Sequence, residues 1–578
     1  MHPADGSVHA VGLLSSAQRG AVEFAGGPDF ENGNATPFLK FAFTSNGIPI
    51  ELGSARMVWQ RVLEWIPTFT STVGDLVIRG TIFAPCGDGT DLPGFVYVIS
   101  IENRGTEPAL VSCTVEGTLG TRQYRVRTAR PYDDEHRVAL ADDIVTLSGT
   151  RPDSATALAI AGAGMTATIT APDHGLARFN LARTSRIETG ERSEFVAYCA
   201  AAPEADGAAA MLARIRDKGW EVLAERTRAA LSSMQQSTGI ASADRLVNRH
   251  LMFGYFYAAG RAIDDARFYV VRSRAPWCAQ GVTVRDFEAL MWVMPAFQLA
   301  RPSLAHDILM RICELHGYAP GRGVNYMDGT PFDQLSCLDG IAAYPIAIDR
   351  YVAQTGDDRV VEDAAIAEAL YASFEDISTS KHSTLPLYST ESQPSGAEAT
   401  LPYTLHANAL VADALEILKQ TLDEKTAQSV PDAGVLRAAI LRHFATEKES
   451  SRTVLWTAID LQGGTSMRDD PVGSAYWLPL YHMLPRDDST YRRTVRRVEP
   501  ATDTPDILNL AERCAMLMGP DSAKILEWLR RADLDDGLAA EFVDQDGTVI
   551  GNGGDASISA LLAYSVWYAV TVFGVMGG

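Results

Sequence analysis

Two carboxylates lie in one polar loop ahead of a well-patterned helix. The stretch "YSTESQPSGAEATLPYTLHANALV" (388–411) places Glu391 and Glu398 among Ser, Thr and Gly residues, with two prolines that restrict the backbone, and Tyr403 and His406 follow. Such acids are either solvated charges that favour the dipole of the next helix or groups that exchange protons in catalysis. The second interpretation needs partners elsewhere in the chain.

A second group of candidates opens a predicted helix within "SRAPWCAQGVTVRDFEALMWVMPAF" (273–297). Arg285 and Asp286 lie at the start of this helix, and Trp292 follows one to two turns later. A carboxylate can accept two hydrogen bonds from a vicinal diol, and an aromatic face can pack against a pyranose ring. A charge pair at the start of a core helix explains these residues equally well.

Three further acids come from two other stretches. "YMDGTPFDQLSCLDGIAAYPIAIDRYVAQTGD" (326–357) contains Asp333 in a loop and Asp339 at the start of a predicted helix. "LAAEFVDQDGTVIGNGGDASISALLAYSVWYAV" (538–570) contains Glu541 ahead of a Gly-rich loop and a closing helix. For Glu541, an edge position in a short β-turn is the alternative interpretation.

The composition is typical of a globular protein with more than one domain. A chain of 578 residues exceeds what one hydrophobic core usually serves, and 46% hydrophobic with 21% charged residues is an ordinary globular balance. The 72 acidic residues outnumber the 50 basic ones, which gives a net charge of −22. Nucleic acid is therefore excluded as an expected partner, because phosphate binding requires a basic face.

The sequence also argues against several locations and chemistries. It shows no secretory signal at its N-terminus and no stretch of 18 apolar residues, so we expect a cytoplasmic protein that does not bind a membrane. Seven scattered cysteines without a C-x-x-C pair indicate neither disulfides nor a thiolate zinc site. The usual serine-hydrolase, zincin and nucleotide-binding motifs are missing, and we expect no metal and no cofactor.

The sequence pattern changes from β-rich to helical near residue 204. The first part contains β-rich runs separated by Gly, Asn and Asp turn signals, among them "GDLVIRGTIFAP", "GFVYVISIENRG", "ALVSCTVEGTLG" and "SEFVAYCAAAP". "ENRGTEPALVSCTVEG" predicts two antiparallel strands joined by a short turn. The fold class predicted is an antiparallel β-sandwich domain over 1–204, then a helical linker over 205–240 and a helical domain over 241–578.

The second part predicts about a dozen helices joined by alternately short and long connections. The predicted helical segments include 244–262, 285–299, 302–316, 337–355, 360–376, 404–420, 433–445, 473–484, 505–518, 522–533 and 557–575. Long connections such as 377–403 and 534–556 alternate with short ones such as 300–303. Helical hairpins in a ring place their long loops on one rim, so this alternation favours an (α/α)6 toroid with one central mouth.

These motifs, in this order, resemble the clan of inverting (α/α)6-barrel glycoside hydrolases and phosphorylases that includes glucoamylases, trehalases and glycogen-debranching glucosidases. The resemblance covers the β-then-helical order and four local motifs. It implies cleavage by inversion, with Glu391 near the position of the general acid and Glu541 at that of the general base. Relatives have a Trp beside the acid, whereas this chain has "TESQPSG", so Glu398 is the alternative acid.

The resemblance further implies a set of sugar-binding residues. They are Arg285, Asp286, Trp292, Asp333, Asp339, Tyr403 and His406. The expected function is exo-acting hydrolysis of a small oligosaccharide or glycoside, and the expected partner is that carbohydrate, with homo-oligomerisation an open alternative.

Three other functions stay open. A disaccharide phosphorylase of the same clan needs a cationic phosphate pocket, and its candidate Arg468 in "TSMRDD" is embedded among acids. A non-catalytic carbohydrate-binding protein on the same fold is the second alternative. A lyase or epimerase with Tyr403 and His406 as its base is the third.

Overall fold

A computed structural model gives the structure of the chain. It describes residues 2–27, 36–52, 57–132, 135–150, 156–173, 176–446, 452–499, 506–532, 534, 537–543, 548–551 and 553–575, with only the backbone for 171–173, 333 and 334. The chain divides into two compact units. The first unit is Met1–Gln235 with Arg261–Arg267, and the second is Gln236–Gly260 with Phe268–Gly578.

The first unit is rich in β-strands, as the sequence predicts. The strands are β1 (Ala10–Ser15), β2 (Gly20–Ala25), β3 (Leu39–Ser45), β4 (Ile48–Ile50), β5 (Val58–Val62), β6 (Ile66–Val73), β7 (Leu76–Phe83), β8 (Gly94–Asn103), β9 (Ala109–Leu119), β10 (Thr121–Arg125), β11 (Ala129–Pro131), β12 (His136–Ala141), β13 (Ile144–Gly149), β14 (Ala157–Gly162), β15 (Thr166–Asp173), β16 (Leu176–Ile187) and β17 (Arg192–Ala202). Burial alternates along β9 and β16, because successive side chains of a strand point to opposite faces.

These strands form three sheets around a shared core. The largest sheet has eight strands in the order β12-β13-β14-β17-β8-β7-β6-β5, the next has the order β15-β16-β9-β3-β4, and the smallest has the order β1-β2-β10-β11. One hydrophobic cluster contains residues of all three sheets, including Phe24, Ile99, Val115, Leu181 and Phe195. Burial of this apolar surface is the main force that holds the sheets together.

The predicted hairpin at "ENRGTEPALVSCTVEG" is wrong. Strands β8 and β9 follow one another in sequence, yet they belong to the eight-stranded and the five-stranded sheet respectively. The Asn103 amide turns the chain between them, because its side chain donates to the carbonyl oxygens of Glu107 and Ile187 at 2.8 and 3.1 Å. The side-chain oxygen of Asn103 also accepts from the N–H of Gly105 at 2.9 Å. The connection therefore crosses from one sheet to another.

Two helices follow the last strand and belong to the first unit. They are Ala205–Lys218 and Trp220–Met234, and they lie within the predicted linker 205–240. The first buries Ala208, Leu212 and Ile215, which lie on one face at spacings of four and three residues, and it packs against β14 and β17.

The second unit is mainly helical. Its α-helices are Ala241–Tyr257, Asp286–Glu288, Met294–Ala300, Pro302–His316, Leu338–Thr355, Ala364–Thr379, Leu405–Thr421, Glu424–Ala427, Ala433–His443, Ser489–Arg497, Ile507–Met516, Pro520–Leu529 and Ala556–Thr571. A π-helical segment, Ala289–Val293, joins Asp286–Glu288 to Met294–Ala300, and 3-10 turns lie at Asp358–Glu362 and Ala475–Trp477. Short strands between residues 259 and 550 are Ala259–Arg261, Phe268–Val270, Arg322–Asn325, Pro331–Ser336, Tyr403–Thr404, Ala458–Ile459, Thr465–Ser466, Phe542–Val543 and Val549–Ile550.

Several helix starts are set by aspartate caps. In each, the Asp carboxylate accepts a backbone N–H two or three residues ahead and so satisfies a donor that the helix leaves unpaired. These caps are Asp363, Asp423, Asp432, Asp488, Asp506 and Asp555.

One predicted helix is wrong, and two helices of the structure lie outside the predicted segments. The segment 473–484 forms only the 3-10 turn Ala475–Trp477 and further turns, because Pro479 lacks an N–H and its ring would clash with the carbonyl four residues earlier in a helix. Helices Glu424–Ala427 and Ser489–Arg497 were not predicted. The first has only four residues, and the second, STYRRTVRR, has only two apolar residues, Tyr491 and Val495, from which a pattern could be read.

The last helix of the second unit packs against the first. Ala556–Thr571 contacts Ala241–Tyr257, and the approach is so close that a Cβ on Gly254 would come within 2.9 Å of the Cβ of Ala560. Among the described residues, no helix combines the length and the apolar character needed to cross a bilayer.

Candidate functional site

Glu541 lines a cavity of about 400 Å³ in the second unit, which we call the Glu541 cavity. Its other polar lining residues include Arg272, Arg285, Ser395 and Asp555. The residues come from sequence positions almost 300 apart, so tertiary folding alone assembles this group. The cavity has the size of an ordinary small-molecule site.

Backbone contacts and one glycine of the predicted Gly-rich loop fix the position of Glu541. The Glu541 carbonyl accepts from the N–H of Ile507 at 3.0 Å, and the next residue, Phe542, bridges to Asp506. Gly551 has φ +96°, and a Cβ there would lie 2.7 Å from the Glu541 carboxylate. Glycine is therefore required at 551 on both grounds. Residues 544–547 and 552 of the predicted turn and loop lie outside the described residues.

A buried charge network forms one wall of this cavity. The Arg272 guanidinium donates to Asp555 at 2.7 Å and also to Glu288. Arg285 donates to the same Glu288 oxygen at 3.4 Å. Burial raises the pKa of Glu288, and the two guanidinium groups oppose that shift. Because Asp555 also caps the helix Ala556–Thr571, the network ties both arginines to a rigid element.

A second cavity adjoins the first. We call it the His406 cavity, with a volume of about 420 Å³, and Asp339, Glu398, His406 and Asp470 are among its lining residues. Ser395 and Pro471 line both cavities, so the two chambers meet at these residues.

His406 and Asp339 form a buried pair. The His406 Nδ1 hydrogen-bonds to the carboxylate of Asp339, and both side chains are almost fully buried. The His406 ring packs edge-to-face against Phe287 and Tyr481 at centroid distances of 5.6 and 5.3 Å. Its Nε2 is buried and has no hydrogen-bond partner among the described residues.

Two adjacent acids, which the sequence did not single out as site residues, lie beside this pair. Burial raises the pKa of Asp469 to about 7 against the opposing effect of hydrogen bonds from Ser474 and Ala475. Burial also raises the pKa of Asp470, whose carboxylate accepts from the Ser395 hydroxyl. A pKa of about 7 lets the Asp469 carboxyl hold a proton close to neutral pH, as a proton donor must.

The loop with Glu391 and Glu398 folds back on itself as a tight turn. Ser392 bridges to Glu398, and the N–H of Ala399 donates to the Glu391 carbonyl at 2.9 Å. The tip lies against Arg285, because a Cβ on Gly396, which has φ +87°, would come 2.6 Å from an Arg285 nitrogen. The turn therefore presents its tip to both cavities.

The two loop acids occupy different surroundings. Glu398 lines the His406 cavity. Both acids are exposed, and the Glu391 Oε2 accepts from the N–H of Ser336 at 2.9 Å. Glu391 is not among the described lining residues of the Glu541 cavity or of the His406 cavity.

Three other predicted residues lie away from the cavity linings. Asp286 and Trp292 are each 2% exposed, and the Trp292 ring packs edge-to-face on Phe287 at 6.1 Å. Tyr403 lies in the strand Tyr403–Thr404, with its ring 6.0 Å from that of His382. These side chains pack within the protein interior or beside other loop residues.

The backbone of Asp333 is described, but its side chain lies outside the described residues. Asp333 belongs to the strand Pro331–Ser336 and pairs with Val324.

Asp286 is held as a buried acceptor. The N–H of Gly321 donates to it at 2.8 Å and the Asn325 amide at 3.4 Å. Burial nevertheless raises the pKa of Asp286 from about 3.8 to about 7. Between these two values the native state keeps a proton that the unfolded chain releases, so this group's contribution to stability is present at low pH and is lost as pH rises toward about 7.

We therefore expect Asp286→Asn to become more stable relative to the parent as pH rises from about 4 to about 7. The change in the difference should be on the order of 4 kcal/mol, since one pKa unit corresponds to about 1.4 kcal/mol. Urea unfolding followed by tryptophan fluorescence across this range measures it. The exposed Asp307→Asn is the control, because it should show no such trend. A pH-independent difference for Asp286→Asn would contradict the assignment.

Sequence reasoning passed over Arg272, Ser395, Asp469, Asp470 and Asp555. A signal existed for two of them, because the acids of "TSMRDD" were noted only as neighbours of Arg468. Arg272 and Asp555 carried no local signal, since their pairing spans 283 residues.

Solved structures of carbohydrate-active proteins share this fold. A bacterial glucoamylase in complex with acarbose matches 99% of this chain and 95% of its own, with a TM-score of 0.61 at 13% identity. A protein assigned as a kojibiose phosphorylase, from the human microbiome, matches 99% of this chain and 83% of its own, with a TM-score of 0.55 at 11% identity. No protein-family model matches the sequence, and no curated protein matches it in sequence.

Both structures belong to the (α/α)6 clan of glycoside hydrolases and phosphorylases. The resemblance recognised in the sequence motifs is thus confirmed at the level of the fold, as a β-rich N-terminal part followed by helices. At identities of 11–13% the likeness concerns the fold alone.

Proposed function

We propose that this protein is an inverting glycoside hydrolase that removes sugar units from the end of a small oligosaccharide or glycoside. One observation carries the proposal: two adjoining cavities, each lined by carboxylates, lie in a chain that shares its fold with a glucoamylase over 99% of its length. Inversion requires an acid and a base roughly 6.5–9.5 Å apart on opposite sides of the scissile bond.

The base in this proposal is Glu541. It is an exposed carboxylate in a cavity, held between the Ile507 contact and Gly551, and it can activate a water there. The neighbouring arginines are already paired with Glu288 and Asp555, so they leave the Glu541 charge free for the water.

The proton donor comes from the turn that contains Glu391 and Glu398. Spacing relative to the following helix favours Glu391, whereas the lining of the His406 cavity favours Glu398. Ser395, at the tip of this turn, lines both cavities, and a bond lying across Ser395 would meet a donor and a base from different sides.

Sugar-binding roles follow from the linings. Arg285, Asp339 and His406 line the cavities and are proposed to hold hydroxyl groups. As direct sugar contacts, Asp286, Trp292 and Tyr403 would require a side-chain rearrangement, and Asp333 stays a prediction from the sequence. We assign Asp470 with its Ser395 hydrogen bond as a further positioning group for the donor loop.

The architecture proposed is the full clan arrangement of a β-sandwich and an (α/α)6 toroid. The contact of the last helix with the first supports ring closure, since a toroid must join its ends. A closed ring with one mouth suits exo action. We further propose a cytoplasmic enzyme that acts without nucleic acid, membrane, metal or cofactor.

Phosphorolysis is the nearest alternative, because one structure of this fold is assigned as a kojibiose phosphorylase. In a phosphorylase, phosphate takes the place of water and base. Here the Glu541 cavity already contains a carboxylate, which would repel phosphate, and its two arginines are neutralised by acids. These charges favour hydrolysis.

The test is turnover of the purified full chain with a panel of disaccharides and aryl glycosides, with and without inorganic phosphate. Hydrolysis without phosphate, with NMR showing first the product anomer opposite to that of the substrate, supports the proposal. Strict dependence on phosphate would establish the phosphorylase, and sugar binding without turnover would establish a binding protein.

A further inference from the structure

A third cavity in the second unit has a different chemistry from the first two. Its volume is about 640 Å³, and three helices contribute to its lining, Ser489–Arg497, Ile507–Met516 and Pro520–Leu529. Among the described lining residues, five are Arg or Lys and one, Asp521, is acidic. The whole chain has a net charge of −22, so this cavity is a local region of positive charge in an acidic protein.

One of the five cations has a structural role. The Arg486 guanidinium donates to the carbonyl oxygens of Met516, at 3.0 Å, and Leu517, and it lies 3.5 Å from the centroid of the Phe573 ring. Arg486 therefore caps the C-terminal end of the helix Ile507–Met516 and forms part of the cavity wall. The other four cations are those to consider for a ligand.

Two of these four project from the same face of one helix. Arg492 and Arg496 are exposed and lie four residues apart on Ser489–Arg497. The helix is fixed by the Asp488 cap, whose carboxylate accepts from the N–H groups of Thr490 and Tyr491 at 2.7 and 2.9 Å. Like charges at this spacing repel, so a bound anion would relieve an unfavourable arrangement.

The remaining cations face this helix from two others. Arg513 lies in the last turn of Ile507–Met516, and its Nε is buried without a hydrogen-bond partner among the described residues. Lys524 is exposed on Pro520–Leu529. Trp528 of the same helix and the half-exposed Met518 add a flat apolar surface to the lining.

We propose that this cavity binds a small organic phosphate. Guanidinium groups match phosphate oxygens with paired hydrogen bonds, and the apolar wall offers contact to a sugar or base ring. The volume suits a ligand of that size. This cavity is separate from the proposed glycosidase site, because none of its described lining residues lines the Glu541 or His406 cavities.

The experiment is calorimetric titration of the full chain with three probes: inorganic pyrophosphate, glucose 6-phosphate and adenosine diphosphate. We expect one of the two organic phosphates to bind more tightly than pyrophosphate. The double variant Arg492→Gln/Arg496→Gln should weaken that binding by at least about tenfold, as should Arg513→Gln.

The matched control is Arg214→Gln/Arg228→Gln, which removes the same charge from exposed helix positions in the first unit. Its affinity should stay within about twofold of the parent, since long-range charge effects are screened by salt. Three results would overturn the proposal: no probe binds, the control weakens binding as much as the double variant does, or pyrophosphate binds at least as tightly as both organic phosphates. Binding is measured directly, so the outcome does not depend on whether the protein is a glycosidase.

Discussion

Glu541→Gln is expected to remove hydrolysis of every substrate that the protein cleaves. Glutamine keeps the size of the side chain and its place against Gly551 but cannot take a proton from water. The loss in kcat should reach about 10²–10⁴-fold and be independent of the leaving group, because the water attack fails in each case. KM should change little, since Glu541 is proposed to contact the water rather than to hold the sugar.

Steady-state kinetics on an aryl glycoside and on a disaccharide measure this effect. Glu424→Gln is the matched control, since Glu424 is an exposed first-turn residue of a short helix in the same unit, and its kinetics should equal those of the parent. Full activity in Glu541→Gln would refute its role as base and direct attention to Asp506 and Asp555, two further acids in the described lining of the same cavity.

The second large effect separates Glu398 from Glu391. The Gln variant of the proton donor should lose about 10²–10⁴-fold in kcat/KM on a disaccharide, whose leaving group needs protonation. It should lose far less on an aryl glycoside with an acidic phenol, because that leaving group departs as an anion. The cavity lining leads us to expect this pattern for Glu398→Gln.

The two variants serve as each other's control, because they change the same charge on the same short turn. If Glu391→Gln shows the leaving-group dependence instead, the spacing argument is correct and the turn must rearrange, since Glu391 now accepts from the N–H of Ser336. If neither variant depends on the leaving group, the turn does not supply the donor, and Asp470 becomes the next residue to replace.

The sequence alone determined the order of the elements and the positions of most helices. Leu405–Thr421 and Leu338–Thr355 follow the predicted bounds within about one residue, because apolar spacing and local start and stop signals act over a few neighbouring residues. The strands β7, β8, β9 and β17 follow predicted runs for the same reason. The resemblance to the (α/α)6 clan also rests on local motifs in order, and the fold comparison bears it out.

The tertiary structure decided which of these elements meet. It assigned β8 and β9 to different sheets, although their sequences suit a hairpin equally well. It placed Asp286 and Trp292 in the interior and brought Arg272 to Asp555 and Ser395 to Asp470. Such pairings join residues tens to hundreds of positions apart, and their energies depend on burial and on the groups that share each buried space. No local pattern of residue types encodes that information, so the site's membership appears only when the chain is folded.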